Sequence, residues 1–134
     1  MAVSDFDGDG DLDLIVNNYN APVQYFVNEA ARGHSLRVRL RGRESNRDGI
    51  GAKVGVEIDG QRQIRVVSAG DGYGSQFSRV VHFGLGDATH VDRLWVEWPS
   101  GRRQERFDVA GDRVIEVDEA ANPIARSGGQ GGRR

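Results

Sequence analysis

The residues best suited to chemistry lie near the N terminus, where aspartates alternate with glycine and apolar residues over positions 5–13. Five carboxylates within nine residues repel one another unless a cation compensates their charge. Calcium is a hard cation that takes six to eight oxygen ligands, and the interleaved glycines let the backbone coil around an ion without a Cβ clash. We therefore predict a calcium site. Its side-chain ligands would be Asp5, Asp7 and Asp9, with Asp11 offering its backbone carbonyl and Asp13 binding directly or through water.

Other interpretations of this loop fit less well. The twelfth position of an EF-hand loop carries a bidentate glutamate, but here it is Val16, and the residues after Asp11 have the pattern of a strand. Magnesium favours fewer protein ligands than this loop offers, and a solvated acidic turn would bind nothing. The loop resembles the DxDxDG calcium loop of FG-GAP/VCBS repeats, which leads directly into a strand. That resemblance implies a calcium-binding blade of a β-propeller.

The elements around the loop have the periodicity of short strands. Leu12–Val16 and Val23–Val27 read as two strands joined by an Asn- and Pro-rich turn, and Ser35–Arg41 alternates apolar residues with arginine. Asp59-Gly60 is a tight-hairpin signal, and Pro99-Ser100-Gly101 separates another pair. We predict an all-β fold, an antiparallel β-sandwich or barrel with an N-terminal calcium loop and β-hairpin. The later predicted strands are Lys53–Ile58, Gln61–Val67, Val80–Phe83, Arg93–Trp98, Gln104–Val109 and Arg113–Val117.

Four further motifs follow in order at positions 45–52, 68–76, 82–86 and 98–101. Together they resemble the ASPIC/UnbV domain, which in its family commonly follows FG-GAP repeats. The resemblance implies a secreted or surface calcium-binding protein and supplies no established reaction. We accordingly divide the chain into a partial FG-GAP/VCBS-like repeat (1–33), an ASPIC/UnbV-like β domain (34–118) and a flexible tail (119–134).

The N-terminal piece has too few strands to bury both of its faces or to satisfy its own edges. Two arrangements follow. It packs back on the sandwich, or it completes a sheet in another copy of the chain. The second arrangement would join subunits by strand addition and build a surface fibre.

An enzyme is the weakest interpretation. Asp48, Asp71, Ser75 and His82 could form a hydrolytic set, but the sequence has no nucleophile elbow and no paired-histidine metal motif.

Tyr73 and Gln76 are predicted to form a secondary binding site, with carbohydrate as one ligand class. Trp95 and Trp98 are three apart on one predicted strand and so face opposite sides, and an exposed one would indicate an interface.

The composition of the chain excludes several classes of partner and metal site. The formal net charge of −2 argues against nucleic acid, and no apolar stretch approaches the roughly 20 residues of a membrane span. Cysteine is absent, so disulfides and thiolate metal sites are excluded. Met1 leads straight into the acidic loop with no secretory signal, so an exported protein would contain this chain as a mature or partial form. We predict an extracellular or cell-surface location, with a protein partner or self-association.

Overall fold

The computed structural model of the protein describes residues 1–29, 33–70, 79–121 and 124–126. The described residues form eleven strands and no helix, which confirms the all-β prediction. The strands are β1 (Ala2–Ser4), β2 (Asp13–Val16), β3 (Gln24–Phe26), β4 (His34–Arg41), β5 (Lys53–Ile58), β6 (Gln61–Val66), β7 (Val81–Gly86), β8 (His90–Glu97), β9 (Arg103–Ala110), β10 (Arg113–Asp118) and β11 (Ile124–Arg126). No helix in the described part of the chain is long and apolar enough to span a membrane.

The strands form three sheets. The N-terminal sheet has the order β1-β2-β3 and is antiparallel throughout, so the predicted hairpin of β2 and β3 is present. Sheet 1 has the order β10-β4-β7, and sheet 2 has the order β11-β9-β8-β5-β6. At the β5–β6 hairpin, Asp59 and Gly60 have φ values of 48° and 76°, the left-handed pair that a tight two-residue turn requires.

Sheets 1 and 2 pack face to face around one hydrophobic core, as in a β-sandwich. On β4 and β7 alternate residues point inward, and the arginines between Leu36, Val38 and Leu40 of β4 point outward as predicted. Burying each such side chain contributes about 1.5–3 kcal/mol. The core comprises mainly Leu36, Val38, Leu40, Val81, Phe83, Leu85, Ile115 and Val117 of sheet 1 and Val54, Val56, Val91, Leu94, Val96 and Val109 of sheet 2.

We predicted an antiparallel sandwich or barrel from the sequence. Sheets 1 and 2 instead contain parallel as well as antiparallel pairs, and they do not close into a barrel. β10 runs parallel to β4, and β11 runs parallel to β9. The chain crosses from sheet 2 to sheet 1 between β9 and β10, so β10 enters beside β4 in the same direction. Alternation of apolar residues fixes which face of a strand is buried but not its direction, and the sequence therefore left this point open.

Ordered structure continues past residue 118, where we placed the start of a flexible tail. Glu119 is fully buried, and β11 adds an edge strand to sheet 2. The Glu119 carboxylate accepts hydrogen bonds from the backbone N–H groups of Arg43, Glu44 and Ser45, at 2.6, 2.9 and 2.9 Å. It also accepts bonds from the hydroxyls of Ser45 and Ser100. One carboxylate thus fastens the β4–β5 loop to the β8–β9 turn.

Both tryptophans are buried, which removes the predicted indication of a surface interface. Trp98 belongs to the core between the sheets, and its Nε1 donates to Oε1 of Gln104 at 2.7 Å. Trp95 lies outside that core and packs over Gly55 on the opposite face of sheet 2, with the Arg93 guanidinium 5.5 Å from its ring. The predicted opposition of the two rings is therefore correct.

Gly55→Ala is expected to destabilise the protein by about 1–3 kcal/mol, because a methyl group there overpacks the sheet. A Cβ at Gly55 would lie 2.1 Å from Cζ2 of Trp95. Gly84→Ala on β7 is the matched control, since a Cβ there meets no atom within 4 Å. Chemical denaturation measures both variants. Equal stability of the two would contradict the close packing of Trp95 on Gly55.

Candidate metal centre

The acidic loop connects β1 to β2 and begins and ends at one point of the N-terminal sheet. Ser4 pairs with Asp13 in the antiparallel register, so the loop leaves the sheet at Ser4 and re-enters it at the directly opposite position, Asp13. This closure brings one carboxylate oxygen from each of Asp5, Asp7 and Asp13 within 4.8 Å of one another. The path of the loop alone therefore brings three of the five predicted ligands close together.

Left-handed glycines and one carboxylate shape the loop. Gly8 and Gly10 have φ values of 82° and 101°, conformations that L side chains rarely adopt. The two oxygens of Asp5 accept the N–H groups of Gly8 at 2.7 Å and Gly10 at 3.1 Å. Asp5 therefore holds the coil of the loop while its carboxylate faces the other two acids.

Asp13 anchors the loop to the rest of the N-terminal sheet. Its side chain is buried and accepts the backbone N–H groups of Asn28 and Phe6, each at 2.9 Å. The Tyr25 hydroxyl donates to the same carboxylate at 3.4 Å. The hydrogen bonds from Asn28 and Phe6 outweigh burial and lower the pKa of Asp13 below its ordinary value. Asp13 is thus held as a carboxylate, the form that binds a cation.

Asp7 experiences the charge of its neighbours. The N–H of Asp9 donates to it and lowers its pKa, but desolvation and the charges of Asp9 and Asp13 act in the opposite direction and leave the pKa raised. The part of this rise in pKa that comes from Asp9 and Asp13 is repulsion between like charges. A bound cation would remove that repulsion.

The cluster fits calcium in donor chemistry and in size. Carboxylate oxygens are the donors that calcium takes, and two ligands on opposite sides of one ion lie about 4.6–5.2 Å apart, twice the calcium–oxygen distance. The mutual distances within the cluster fall inside that limit. Asp5, Asp7 and Asp13 are the side chains that would hold the ion.

The carboxylates of Asp9 and Asp11 are not in the cluster. Oδ1 of Asp9 accepts the N–H of Asp11 at 2.9 Å, which is a turn contact within the loop. The predicted roles of the Asp9 side chain and of the Asp11 carbonyl stay predictions.

Arg37 and His82 of the sandwich make polar contacts with the loop, and neither was predicted from the sequence to belong to the metal site. Nη1 of Arg37 lies 2.5 Å from Oδ2 of Asp5, and Nε2 of His82 lies 2.5 Å from the carbonyl oxygen of Gly10. Arg37 is on β4 and His82 on β7, so the loop rests on the outer face of sheet 1. The alternation of β4 identifies Arg37 as outward-facing, but no local signal indicates what lies outside it.

Two family matches cover almost the whole of this architecture. Residues 42–124 match the family described as ASPIC and UnbV, and residues 1–33 match the FG-GAP repeat. The chain belongs to the ASPIC and UnbV family. Both resemblances drawn from the motifs are thereby confirmed, and the acidic loop lies in the part that matches the FG-GAP repeat.

Relatives of this ASPIC and UnbV chain include cartilage acidic protein 1 of Homo sapiens, 33% identical over 144 residues. Cartilage acidic protein 1 of Mus musculus is 34% identical over 128 residues. The matches cover 96% and 90% of this chain but only 21% and 19% of the two relatives. The chain thus spans about a fifth of the length of the curated relatives it matches.

Two residues of the hydrolytic hypothesis, Asp48 and His82, have other partners in this ASPIC and UnbV fold. Asp48 accepts an ion-pair hydrogen bond from Arg79, and His82 contacts Gly10 of the loop. Asp71 and Ser75 lie outside the described residues, as do Tyr73 and Gln76 of the predicted secondary site.

Proposed function

We propose that this chain is a non-enzymatic, calcium-binding extracellular interaction module in which one Ca²⁺ in the acidic loop fastens the N-terminal sheet to the sandwich. The observation that carries the proposal is the convergence of Asp5, Asp7 and Asp13 within 4.8 Å. The remaining oxygen ligands would be the Asp9 side chain, the Asp11 carbonyl and water. A site of this kind binds calcium with a Kd of about 10⁻⁴–10⁻³ M in extracellular modules.

Asp5 would couple metal binding to domain docking. Its carboxylate holds the loop through Gly8 and Gly10 and also meets Arg37 of the sandwich. Calcium would fix the position of this carboxylate, so the ion pair between Arg37 and Asp5 would form without a further ordering cost. Because an ion that binds only the ordered loop stabilises that form, calcium concentration would control how firmly the two parts are joined.

The extracellular setting comes from the relatives. Their name, cartilage acidic protein, supports a role in a matrix or at a cell surface, with another protein as partner. Neither relative's name refers to a reaction, which supports the non-enzymatic assignment.

We favour a self-contained module over a fibre subunit. The contacts of Asp5 with Arg37 and of Gly10 with His82 lie within one chain, so the N-terminal sheet has a docking surface of its own. Light scattering in calcium separates the two functions. We expect a monomer at all concentrations, and growth into long particles would favour strand exchange.

Hydrogen–deuterium exchange tests the proposed function on the whole chain. We expect calcium to slow amide exchange in residues 1–29 relative to a chelator, with no change in the central strands β5 and β8. Asp7→Asn should abolish the effect, because it removes one of the three converging carboxylates. Equal exchange of residues 1–29 in calcium and in chelator would contradict the proposal.

A further inference from the structure

A groove of about 900 Å³ runs between β1 and the outer face of sheet 1. Arginines dominate its charged lining, with Arg39 and Arg41 from β4, Arg47 from the following loop and Arg79 before β7. We call it the arginine groove. It is separate from the three carboxylates of the candidate metal centre, none of which lines it.

The arginine groove carries more positive charge than its own acids balance. Two carboxylates line it, against four guanidinium groups. Asp48 pairs with Arg79, and Glu116 lies 3.8 Å from Arg41. Arg39 and Arg47 have no acidic partner among the described residues. Two guanidinium groups are thus available to an anionic ligand, and arginine binds carboxylates in a planar, bidentate geometry.

One wall of the arginine groove is the outer edge of β1. Three consecutive residues, Ala2–Ser4, line the groove, although alternate side chains of a strand point to opposite faces. Such a lining indicates that the groove follows the hydrogen-bonding edge of the strand. β1 is the edge of its sheet, and no described residue hydrogen-bonds to its outer side.

We propose that the arginine groove binds an extended acidic peptide segment of a partner protein, which adds as a strand along β1 and pairs its carboxylates with Arg39 and Arg47. An open strand edge supplies backbone donors and acceptors at the repeat of another strand. Arg41, two residues from Arg39 on the same strand, is already paired with Glu116 and adds to the positive charge of the groove. A polyanionic glycan would satisfy the arginines but leave the β1 edge unpaired.

Fluorescence anisotropy with a labelled octapeptide of alternating glutamate and valine tests this inference on the whole chain in saturating calcium. We expect saturable binding that the double variant Arg39→Gln/Arg47→Gln weakens by about tenfold, since each ion pair contributes up to about 1 kcal/mol. Arg62→Gln/Arg103→Gln removes the same charge from ion pairs on sheet 2 and should change the affinity by less than twofold. Equal weakening by both double variants would overturn the assignment of the site.

A second probe separates strand addition from charge alone. The same octapeptide, N-methylated at the alternate nitrogens that would face β1, keeps its carboxylates but cannot donate to a strand edge. We expect its binding to be at least tenfold weaker. Equal binding of both peptides, or binding of a sulfated oligosaccharide that the peptide does not displace, would overturn the proposal.

The proposal of peptide binding in the arginine groove and the proposal of calcium binding in the acidic loop can be contradicted independently. Calcium affinity, measured in the same variants, should change little in Arg39→Gln/Arg47→Gln, because among the described residues the arginine that pairs with the three carboxylates is Arg37. Retained calcium binding without peptide binding would overturn the groove alone.

Discussion

Glu119→Gln is expected to lower the free energy of unfolding by about 1.5–3 kcal/mol, because it replaces the charged acceptor of a buried hydrogen-bond network with a neutral one. Glu119 has no exposed surface and accepts three backbone N–H groups and two hydroxyls. A glutamine can keep the three N–H bonds through its one oxygen, but its amide nitrogen then faces the two hydroxyls, and all five buried donors lose a negatively charged acceptor. Urea denaturation followed by tryptophan fluorescence measures the change, since Trp95 and Trp98 both lie in the sandwich.

Glu44→Gln is the matched control for this prediction. It makes the same chemical change on the same loop at an exposed side chain, and we expect a change within about 0.5 kcal/mol. Similar losses in the two variants would contradict the role assigned to Glu119.

The same carboxylate predicts how stability depends on pH. Burial alone would raise the pKa of Glu119, but hydrogen bonds from Ser100, Arg43 and Ser45 prevail and lower it from 4.5 to about 2. The hydrogen bond and charge of Arg43 lower the pKa of Asp118 from 3.8 to about 2 as well. Groups with depressed folded-state pKa values stabilise the fold above their unfolded pKa, and that stability is lost as the pH falls through the folded value. We expect stability to decline between about pH 4.5 and 2, less steeply in Glu119→Gln.

Asp13→Asn is expected to weaken calcium binding by about 100-fold or more, beyond the 10–100-fold typical of losing a group that only orients a ligand. The substitution removes a ligand charge and also one of the two oxygens that accept the N–H groups of Phe6 and Asn28. Residues 1–29 should lose protection from hydrogen exchange in calcium. Tryptophan fluorescence of the sandwich should be unchanged, since neither tryptophan lies in the N-terminal sheet.

Asp11→Asn separates specific ligation from general loop charge. It removes one negative charge from the same loop but keeps the backbone carbonyl through which Asp11 is predicted to bind. Its carboxylate is outside the three-membered cluster, so we expect an effect below about threefold. Losses of equal size at Asp11 and Asp13 would mean that the loop attracts calcium by charge alone.

Strand positions were predictable because their causes are local. Alternation of apolar residues located β4 to β10 to within a few residues, and Asp59-Gly60 located the β5–β6 hairpin. The acidic loop was recognisable for the same reason, since the spacing of its carboxylates and glycines is itself the signal.

The remaining features depend on contacts between distant parts of the chain. Parallel pairing of β10 with β4 follows from the crossing between sheets, which no short window of sequence contains. β1 and β11 are three residues each, and unlike the equally short β3 neither lies within a longer run of apolar residues. Arg37 and Glu119 have the composition of ordinary surface residues, and only the fold reveals that one meets the metal loop and the other fastens two loops.

Calcium binding by the acidic loop can be measured by isothermal titration of calcium into the chelator-treated whole chain. We expect one ion per chain with a Kd of about 10⁻⁴–10⁻³ M, and loss of the binding heat in Asp7→Asn. An absence of binding at millimolar calcium, or binding that persists unchanged in Asp7→Asn, would contradict it.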